Sequence, residues 1–337
     1  MKIAIVNDTD MATQAIATTL SETREHDVVW TACNGAAAVQ LCRENTPELV
    51  LMDLVMPVMN GAEATREIMR HCPTGILVVT ASIAGNCALA FDAMGAGALD
   101  VITTPSLLNR AGRKDFLEKI AQLGAIVGEQ NKPEAPPFRT DLFGRRAVGS
   151  TESLVAIGCS AGGPAALAEI LGGLDPVGRA AVVIVQHVDA RFVEELALWL
   201  KAFAKDPLEL AAEGTMVAPG HIYLAGKDGH IEIHPGSRLR YDANLTGFAY
   251  QPSVNVFFSS IARNWRGRAM GAVLTGMGRD GAIGLRAMRE AGFFTIAQDE
   301  KSSALYGMPK AAAPFASEIL PLPSISIRIN QWIQSSQ

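Results

Sequence analysis

Apolar runs rich in β-branched residues alternate with amphipathic stretches along most of this 337-residue chain. Continuous apolar strands of this kind are typical of a parallel sheet covered by helices on both faces. The sequence therefore predicts an α/β domain over residues 1–128. Its predicted strands are Ile3–Val6, Val28–Ala32, Leu49–Met52, Ile76–Val79 and Ala98–Ile102, and its predicted helices are Ala12–Leu20, Gly35–Arg43, Ala62–Met69, Ala88–Met94 and Asp115–Ile126.

A second α/β alternation follows residues 129–150, where prolines, charges and a lack of periodicity predict an inter-domain linker. Residues 151–337 are predicted to form the second domain. The stretches 213–225 and 229–234 have the pattern of short strands or hairpins, so we expect a parallel sheet with an antiparallel region in its middle. The other predicted strands of this domain are Leu154–Ile157, Ala181–Val185, Ala272–Leu274 and Phe294–Ile296. Its predicted helices are Ala165–Leu171, Glu194–Phe203 and Ala282–Ala291.

Composition excludes several classes of protein. A formal charge of −5 argues against a nucleic-acid partner, because phosphate contacts need clustered Lys and Arg. No apolar run approaches the ~20 residues that cross a bilayer, so no membrane insertion is expected. The first residues enter a strand without a signal-peptide pattern, and the five cysteines show no C-x-x-C spacing. These features predict a soluble, cytoplasmic protein with reduced thiols.

The most suggestive local motif is GCSAGG at residues 158–163, between a predicted strand and a predicted helix. It fits G-x-S-x-G, in which a serine occupies a sharp strand-to-helix turn and the flanking glycines avoid collisions with adjoining elements. Ser160 is therefore a candidate nucleophile. Small residues also crowd ordinary strand-to-helix turns, so the motif needs a base and an acid elsewhere in the chain.

His187 is the best candidate for the base, because it follows the strand Ala181–Val185 and would reach the same sheet edge as Ser160. Structural roles are expected for the other histidines of this domain, and His230 and His234 are expected to face solvent. The orienting acid is open among Asp175, Asp189, Asp228, Asp242, Asp280 and Asp299. Asp280 is favoured because it lies in a glycine-dense turn, LTGMGRDG at residues 274–281, whose main-chain N–H groups can also face an oxyanion.

Acidic and hydroxyl side chains also end strands of the first domain: Asp8 follows the first, Asp53 the third and Thr80 the fourth. Two neighbouring carboxylates can bind Mg²⁺, which prefers oxygen ligands, and a carboxylate can accept a phosphoryl group. The alternative is that Asp8 and Asp53 are ordinary cap or turn residues.

With Asn7 and Asp8 near the start, LMDLVMPVMNG at residues 51–61 and Thr80, the first 125 or so residues resemble a two-component receiver domain of flavodoxin-like fold. The resemblance implies that Asp53 is the phospho-acceptor, that Asn7, Asp8 and Thr80 support the site, and that Asp8, Asp53 and the Val55 carbonyl hold Mg²⁺. Two departures stand out: Asn7 replaces one of the usual acids, and Thr104 replaces the lysine that usually precedes Pro105.

The second domain resembles the catalytic domain of chemotaxis protein-glutamate methylesterases, in GCSAGG, Gln186-His187, LTGMGRDG, QPSV at residues 251–254 and GMPK at residues 307–310. The resemblance implies Ser160 as nucleophile, His187 as base, Asp280 as orienting acid, and the backbone of Ala161 and Met277 at the oxyanion. The order Ser, His, Asp differs from that of α/β-hydrolases. Gln251 and Asn255 replace charged residues common in the family, and Ala161 a common hydroxyl residue.

The resemblance implies hydrolysis of glutamate γ-methyl esters on a methylated chemoreceptor, with glutamine deamidation as a related reaction and no cofactor for catalysis. A chemosensory histidine kinase would be the phosphodonor, and the receiver would gate the esterase. The pair Asn7 and Thr104 also resembles the branch that serves surface sensing. The alternative is a catalytically weak adaptor that binds a receptor or kinase. A DNA-binding response regulator is disfavoured by the acidic charge and the large second domain.

Overall fold

The computed structural model describes residues 1–23, 25–81, 85–128, 153–188, 190–226, 229–245, 248 and 250–335. The chain divides into two compact units, Met1–Lys132 and Pro133–Gln337. The predicted linker, residues 129–150, lies outside the described residues, as do two of the acid candidates, Asp189 and Asp228. No helix within the described ranges is both long and apolar enough to cross a membrane.

The first unit is a five-stranded parallel sheet in the order β2-β1-β3-β4-β5, as in flavodoxin-like folds. The prediction of an α/β domain is confirmed, and the predicted strands and helices match the observed ones to within a few residues. The elements are β1 Lys2–Val6, α1 Asp10–Ser21, β2 Asp27–Ala32, α2 Gly35–Glu44, β3 Leu49–Met52, α3 Gly61–His71, β4 Gly75–Thr80, α4 Cys87–Gly95, β5 Asp100–Thr103 and α5 Arg110–Gly128.

Local sequence accounts for several boundaries in this unit. Helix α3 begins at a capping box, in which the Asn60 side chain accepts from the Glu63 N–H and the Glu63 carboxylate accepts from the Asn60 N–H. Strand β3 is wholly buried, as expected for a central strand covered on both faces. Its carboxyl end carries Asp53, between the ends of β1 and β4.

The second unit is a seven-stranded parallel sheet in the order β14-β13-β12-β6-β7-β9-β8, with a separate antiparallel pair, β10 and β11. The elements are β6 Ser153–Cys159, α6 Gly163–Gly173, β7 Ala180–Gln186, α7 Val193–Leu200, β8 Leu208–Ala211, β9 Ile222–Ala225, β10 His230–His234, β11 Arg238–Asp242, α8 Val254–Asn264, β12 Arg268–Val273, α9 Ala282–Glu290, β13 Phe294–Gln298, α10 Met308–Ala312, β14 Glu318–Leu320 and α11 Leu322–Gln334, with short 3-10 helices at Ala190–Phe192 and Ala313–Phe315.

The predicted fold class is confirmed for this unit, including the antiparallel region. Within the stretch 213–225, predicted as short strands or hairpins, Ile222–Ala225 is a short strand of the parallel sheet beside β7. Helix α8 was not predicted, although its apolar residues Val254, Phe257, Phe258 and Ile261 recur at helical spacing; its polar residues Asn255, Ser259 and Ser260 are buried as well. Burial of side chains such as Phe257 and Phe258 contributes about 1.5–3 kcal/mol each.

Strands β6 and β7 are buried along their whole length. The chain runs from β6 outward through β7 on one side of the sheet and later returns through β12 on the other. Strand β6 is therefore at the point where the strand order reverses. In open α/β sheets, ligands bind beyond the carboxyl ends of the strands at this point.

Candidate functional site

The carboxyl ends of three adjacent strands bring the predicted catalytic residues to one edge of the second sheet. Ser160 follows β6, His187 follows β7 and Asp280 lies in the turn after β12. Because β6 lies between the other two strands and all three are parallel, the three side chains share an edge without any long loop. All three are buried.

The main chain of Ser160 is fixed from both sides. Its N–H donates to the Thr275 carbonyl at 3.1 Å, and its carbonyl accepts from the Gly163 N–H at 2.8 Å. The flanking glycines are required, as the motif predicts: a Cβ on Gly158 would overlap the Val254 side chain of α8, and Gly162 has φ of +76°. The serine hydroxyl is thus held on a rigid turn at the sheet edge.

His187 and Asp280 form a buried pair, with 2.8 Å between His187 Nε2 and Asp280 Oδ2. A carboxylate accepts only, so Nε2 carries the proton in this pair and Nδ1 is the unprotonated nitrogen of the neutral ring. Nδ1 is buried and has no hydrogen-bond partner among the described residues. The imidazole therefore keeps one basic nitrogen available for a hydroxyl proton.

The Asp280 carboxylate is surrounded by donors from the start of α8. Oδ2 also accepts from the Val254 N–H at 2.7 Å, and Oδ1 accepts from the Ser253 hydroxyl at 2.8 Å and the Asn255 N–H at 3.0 Å. The Gly281 N–H donates to Oδ1 as well, at 3.0 Å. A negative charge is also favoured here because it lies at the N-terminus of a helix.

These contacts decide the charge of Asp280. Burial is the largest single influence and raises the pKa of its carboxyl, but the hydrogen bonds from His187, Asn255 and Ser253 oppose it, and the pKa lies below its usual range. The site therefore contains an ionised acid that orients the imidazole.

Gln186 joins the main chains of the serine and the histidine. Its Nε2 donates to the Ser160 carbonyl at 2.9 Å and to the His187 carbonyl at 2.8 Å. A Cβ on Gly163 would overlap the Gln186 amide, so the close approach depends on that glycine. The bridging role of Gln186 was not predicted from the sequence, although Gln186-His187 is part of the recognised pattern.

The predicted oxyanion groups lie next to the serine. The Ala161 carbonyl accepts from the Thr275 hydroxyl at 3.0 Å, and Gly276 packs directly on the Ser160 Cβ. This packing brings the Met277 turn beside the serine. Within the described part of the chain, neither the Ala161 N–H nor the Met277 N–H donates a main-chain hydrogen bond, so both remain predicted oxyanion donors.

Two aromatic residues near the site were missed by sequence reasoning. Tyr250 stacks on the His187 ring with 4.1 Å between centroids, and Phe248 meets His230 edge-on at 4.9 Å. The expectation that His230 faces solvent is wrong: it is buried, its Nδ1 accepts from the Ser253 N–H at 3.1 Å, and burial lowers its pKa. The antiparallel pair packs this histidine against α8, which strand alternation alone does not reveal.

In the first unit, the ends of β1, β3 and β4 bring Asn7, Asp53 and Thr80 to one sheet edge. The Asn7 amide donates to Asp53 Oδ2 at 3.0 Å, and the Leu54 N–H donates to Asp53 Oδ1 at 2.7 Å. Burial raises the pKa of Asp53, and the negative charge of Asp8 raises it further, against the opposing effect of the main-chain donors. This carboxylate is underpaired in comparison with Asp280.

Among the ion pairs of the described residues, none joins Asp53 to a lysine or arginine. Thr80 is buried, and its carbonyl accepts from the Thr104 N–H at 3.0 Å, where a lysine would follow β5 in the resembled family. Lys119 does not replace it, because its ammonium pairs with Asp100 at the opposite end of β5.

The residues at this edge fit Mg²⁺ in chemistry. Asp8 is close enough to raise the pKa of Asp53, so a divalent cation would relieve their repulsion, and Val55, whose carbonyl is the third predicted ligand, is exposed. No cluster of three or more His, Cys, Asp or Glu occurs in the described ranges. A magnesium ion here would thus rely on two carboxylates, a carbonyl and water.

Comparison with known proteins agrees with both halves of the chain. A family described as CheB methylesterase matches residues 155–329, and the response regulator receiver domain matches residues 3–120. The protein-glutamate methylesterase/protein-glutamine glutaminase of the group 3 operon of Pseudomonas putida is 49% identical, covering 98% of this chain and 99% of that protein. Protein-glutamate methylesterase/protein-glutamine glutaminase 3 of Pseudomonas aeruginosa is 47% identical, with 98% of each chain covered. The crystal structure of the Thermotoga maritima CheB methylesterase catalytic domain covers 54% of this chain and 98% of its own, with a TM-score of 0.51 and 28% identity.

Proposed function

Because this chain belongs to the CheB methylesterase family and carries the receiver domain as well, we propose that it hydrolyses glutamate γ-methyl esters on a chemoreceptor. The observation that carries the proposal is the His187–Asp280 pair at 2.8 Å, with an Nδ1 that has no partner among the described residues, at the edge where Ser160 lies. The relatives in the two Pseudomonas species have names that include both methylesterase and glutaminase activity.

In the proposed reaction, His187 Nδ1 takes the proton of the Ser160 hydroxyl as the oxygen attacks the ester carbonyl. The ionised Asp280 holds the imidazole by Nε2 and stabilises the imidazolium that forms. The N–H groups of Ala161 and Met277 donate to the oxyanion. His187 then returns the proton to the leaving methoxide, which departs as methanol.

Water completes the cycle by attacking the acyl-enzyme on Ser160, with His187 again as the base, and releases a glutamate side chain. The same groups would deamidate glutamine, in which case ammonia leaves in place of methanol. None of these steps needs a metal or cofactor. Each turnover restores one negative charge to the receptor.

The test is methanol release from a methylated receptor by the full chain and by Ser160→Ala. We expect the rate to fall by about 10³-fold or more, because the nucleophile is lost. Ser259→Ala is the matched control: this buried hydroxyl lies on α8 and has no partner among the described residues, so its loss should leave the rate unchanged. An unchanged rate in Ser160→Ala would overturn the mechanism and favour the adaptor role.

We also propose that residues 1–128 regulate the catalytic unit, residues 151–337, through phosphorylation of Asp53 by a histidine kinase in the cytoplasm. Asp8, Asp53 and the Val55 carbonyl would hold Mg²⁺, with Asn7 and Thr80 supporting the site. When bound, Mg²⁺ offsets the charge of the carboxylates and the phosphoryl donor. The underpaired Asp53 and its raised pKa support this assignment.

Incubation with a radiolabelled small phosphodonor such as acetyl phosphate tests the receiver. We expect Mg²⁺-dependent label on the wild type and none on Asp53→Ala. Asp10→Asn is a suitable control, since this acid is on α1 and exposed, outside the proposed set. Equal label on Asp53→Ala would contradict phosphorylation at this residue.

A further inference from the structure

The flat face of the His187 ring is covered by Tyr250. Their centroids are 4.1 Å apart and their planes differ by 9°, so the two rings are in contact across a whole face. Tyr250 also approaches the turn that carries Met277: its ring edge and hydroxyl lie 3.9 Å from where a Cβ on Gly278 would be. One aromatic side chain thus contacts the base and lies beside the oxyanion turn.

His187 needs support on its face because, among the described residues, hydrogen bonding fixes only one atom of its ring. Nε2 is bound to Asp280, whereas Nδ1 has no partner among the described residues. A planar ring held at one atom can still tilt about that bond. A general base must hold its nitrogen within about 2.6–3.2 Å of the proton donor, so free tilting would lower the rate of proton transfer.

The segment that carries Tyr250 is anchored on the same carboxylate that binds His187. Three residues after Tyr250, the Ser253 hydroxyl donates to Asp280 Oδ1 at 2.8 Å, and the Ser253 N–H donates to His230 Nδ1 at 3.1 Å. Pro252 between them is buried. The edge and the face of the imidazole are therefore positioned by groups that share one anchor, Asp280.

We propose that Tyr250 is a positioning residue for His187, an inference that rests on the proposed role of His187 as base. The tyrosine ring fixes the tilt of the imidazole. It also stabilises the imidazolium formed when Ser160 loses its proton, because the face of an aromatic ring attracts a cation. This second contribution grows toward the transition state, so it acts on kcat more than on KM.

The variant Tyr250→Leu removes the ring and keeps an apolar side chain. We expect kcat for methanol release to fall by about 10–100-fold, the loss typical of a misplaced catalytic group, with KM little changed. Tyr250→Phe keeps the stacked ring and should retain kcat close to that of the wild type. An equal loss in Tyr250→Phe would assign the effect to the hydroxyl and overturn the stacking role.

Phe248→Leu is the matched control, because the Phe248 ring meets that of His230, whereas the Tyr250 ring stacks on His187. If loosening of the segment caused the loss, Phe248→Leu would reproduce it, and the inference would fail. Thermal unfolding is measured for each variant. Tyr250→Gln, which also removes the ring, replaces Tyr250→Leu if the latter is destabilised.

Labelling of Ser160 by a fluorophosphonate separates this inference from the proposed function, since it needs an activated serine but no receptor. We expect Tyr250→Leu to slow labelling by a factor similar to its loss of kcat and Tyr250→Phe to label at the wild-type rate. If the wild type labels but releases no methanol, the proposed substrate is wrong while the positioning role stands. Equal labelling of Tyr250→Leu and wild type would overturn the positioning role.

Discussion

The two units each place an aspartate at the carboxyl edge of a parallel sheet, yet the surroundings shift the pKa values of the two aspartates in opposite directions. Asp280 accepts from His187 and from the donors at the start of α8, and its pKa is lowered despite full burial. Burial and the charge of Asp8 raise the pKa of Asp53. The Asn7 amide and two main-chain N–H groups donate to this carboxylate, but they do not compensate for that effect.

The difference between the two pKa shifts indicates a different role for each sheet edge. Asp280 needs nothing further to remain charged, as expected of a group that orients a base through every turnover. The repulsion between Asp53 and Asp8 is not compensated, so a bound cation or a phosphoryl group would change the charge balance at this edge, as expected of a regulatory site. The same sheet geometry thus supports a preorganised catalytic site and a responsive one.

The largest expected effect comes from removing the better-paired carboxylate. Asp280→Ala leaves His187, the Ser253 hydroxyl and the N–H groups at the start of α8 without their acceptor, so the free energy of unfolding should fall by about 3–5 kcal/mol. Urea denaturation followed by fluorescence of the second unit's tryptophans measures this loss. Asp299→Ala, in a partly exposed turn of the same unit, should cost less. Equal losses would show that the donors around Asp280 contribute no more to stability than those around Asp299, which would contradict the prediction.

Replacement of Asp53 should have the opposite effect and raise stability, by an amount that depends on pH. Because the folded pKa of Asp53 is raised, its ionisation lowers stability at neutral pH; this penalty shrinks as the pH falls below the folded pKa and is gone below the unfolded pKa. Asp53→Asn, which keeps an oxygen for the Leu54 N–H, should therefore raise the melting temperature at pH 7 and lose that advantage in acid. Melting curves of both proteins between pH 7 and pH 4 check this. A pH-independent difference would contradict the raised pKa.

Much of the catalytic edge could be predicted from sequence because its parts are local. Ser160, His187 and Asp280 each follow a strand of the same parallel sheet, so strand ends alone place them together. Tyr250 and the donor role of Ser253 could not be predicted in this way, since they depend on how α8 and the antiparallel pair pack against the edge. Besides the QPSV pattern, one local signal was available for Ser253: a serine directly before an apolar run is the pattern of an N-cap.

The smallest expected effect comes from restoring the missing acid of the first unit. Asn7→Asp replaces the amide that donates to Asp53 with a third carboxylate, so stability without Mg²⁺ should fall by about 1 kcal/mol, or roughly 2–4 °C in melting temperature. Mg²⁺ should recover more of the melting temperature in this variant than in the wild type, because it neutralises more charge. Asn34→Asp, which adds one charge at the cap of α2, is the control. No change in Mg²⁺ response would show that Asn7 lies outside the metal site.

The central claim is that Ser160, His187 and Asp280 act as one catalytic unit, and its most direct test is methanol release by Ser160→Ala, His187→Ala and the double variant. Residues that act together lose most of their effect at the first substitution. We predict that each single variant loses about 10³-fold or more of kcat and that the double variant loses no more than the worse single one. Multiplied losses in the double variant, or substantial activity in either single variant, would contradict a shared mechanism.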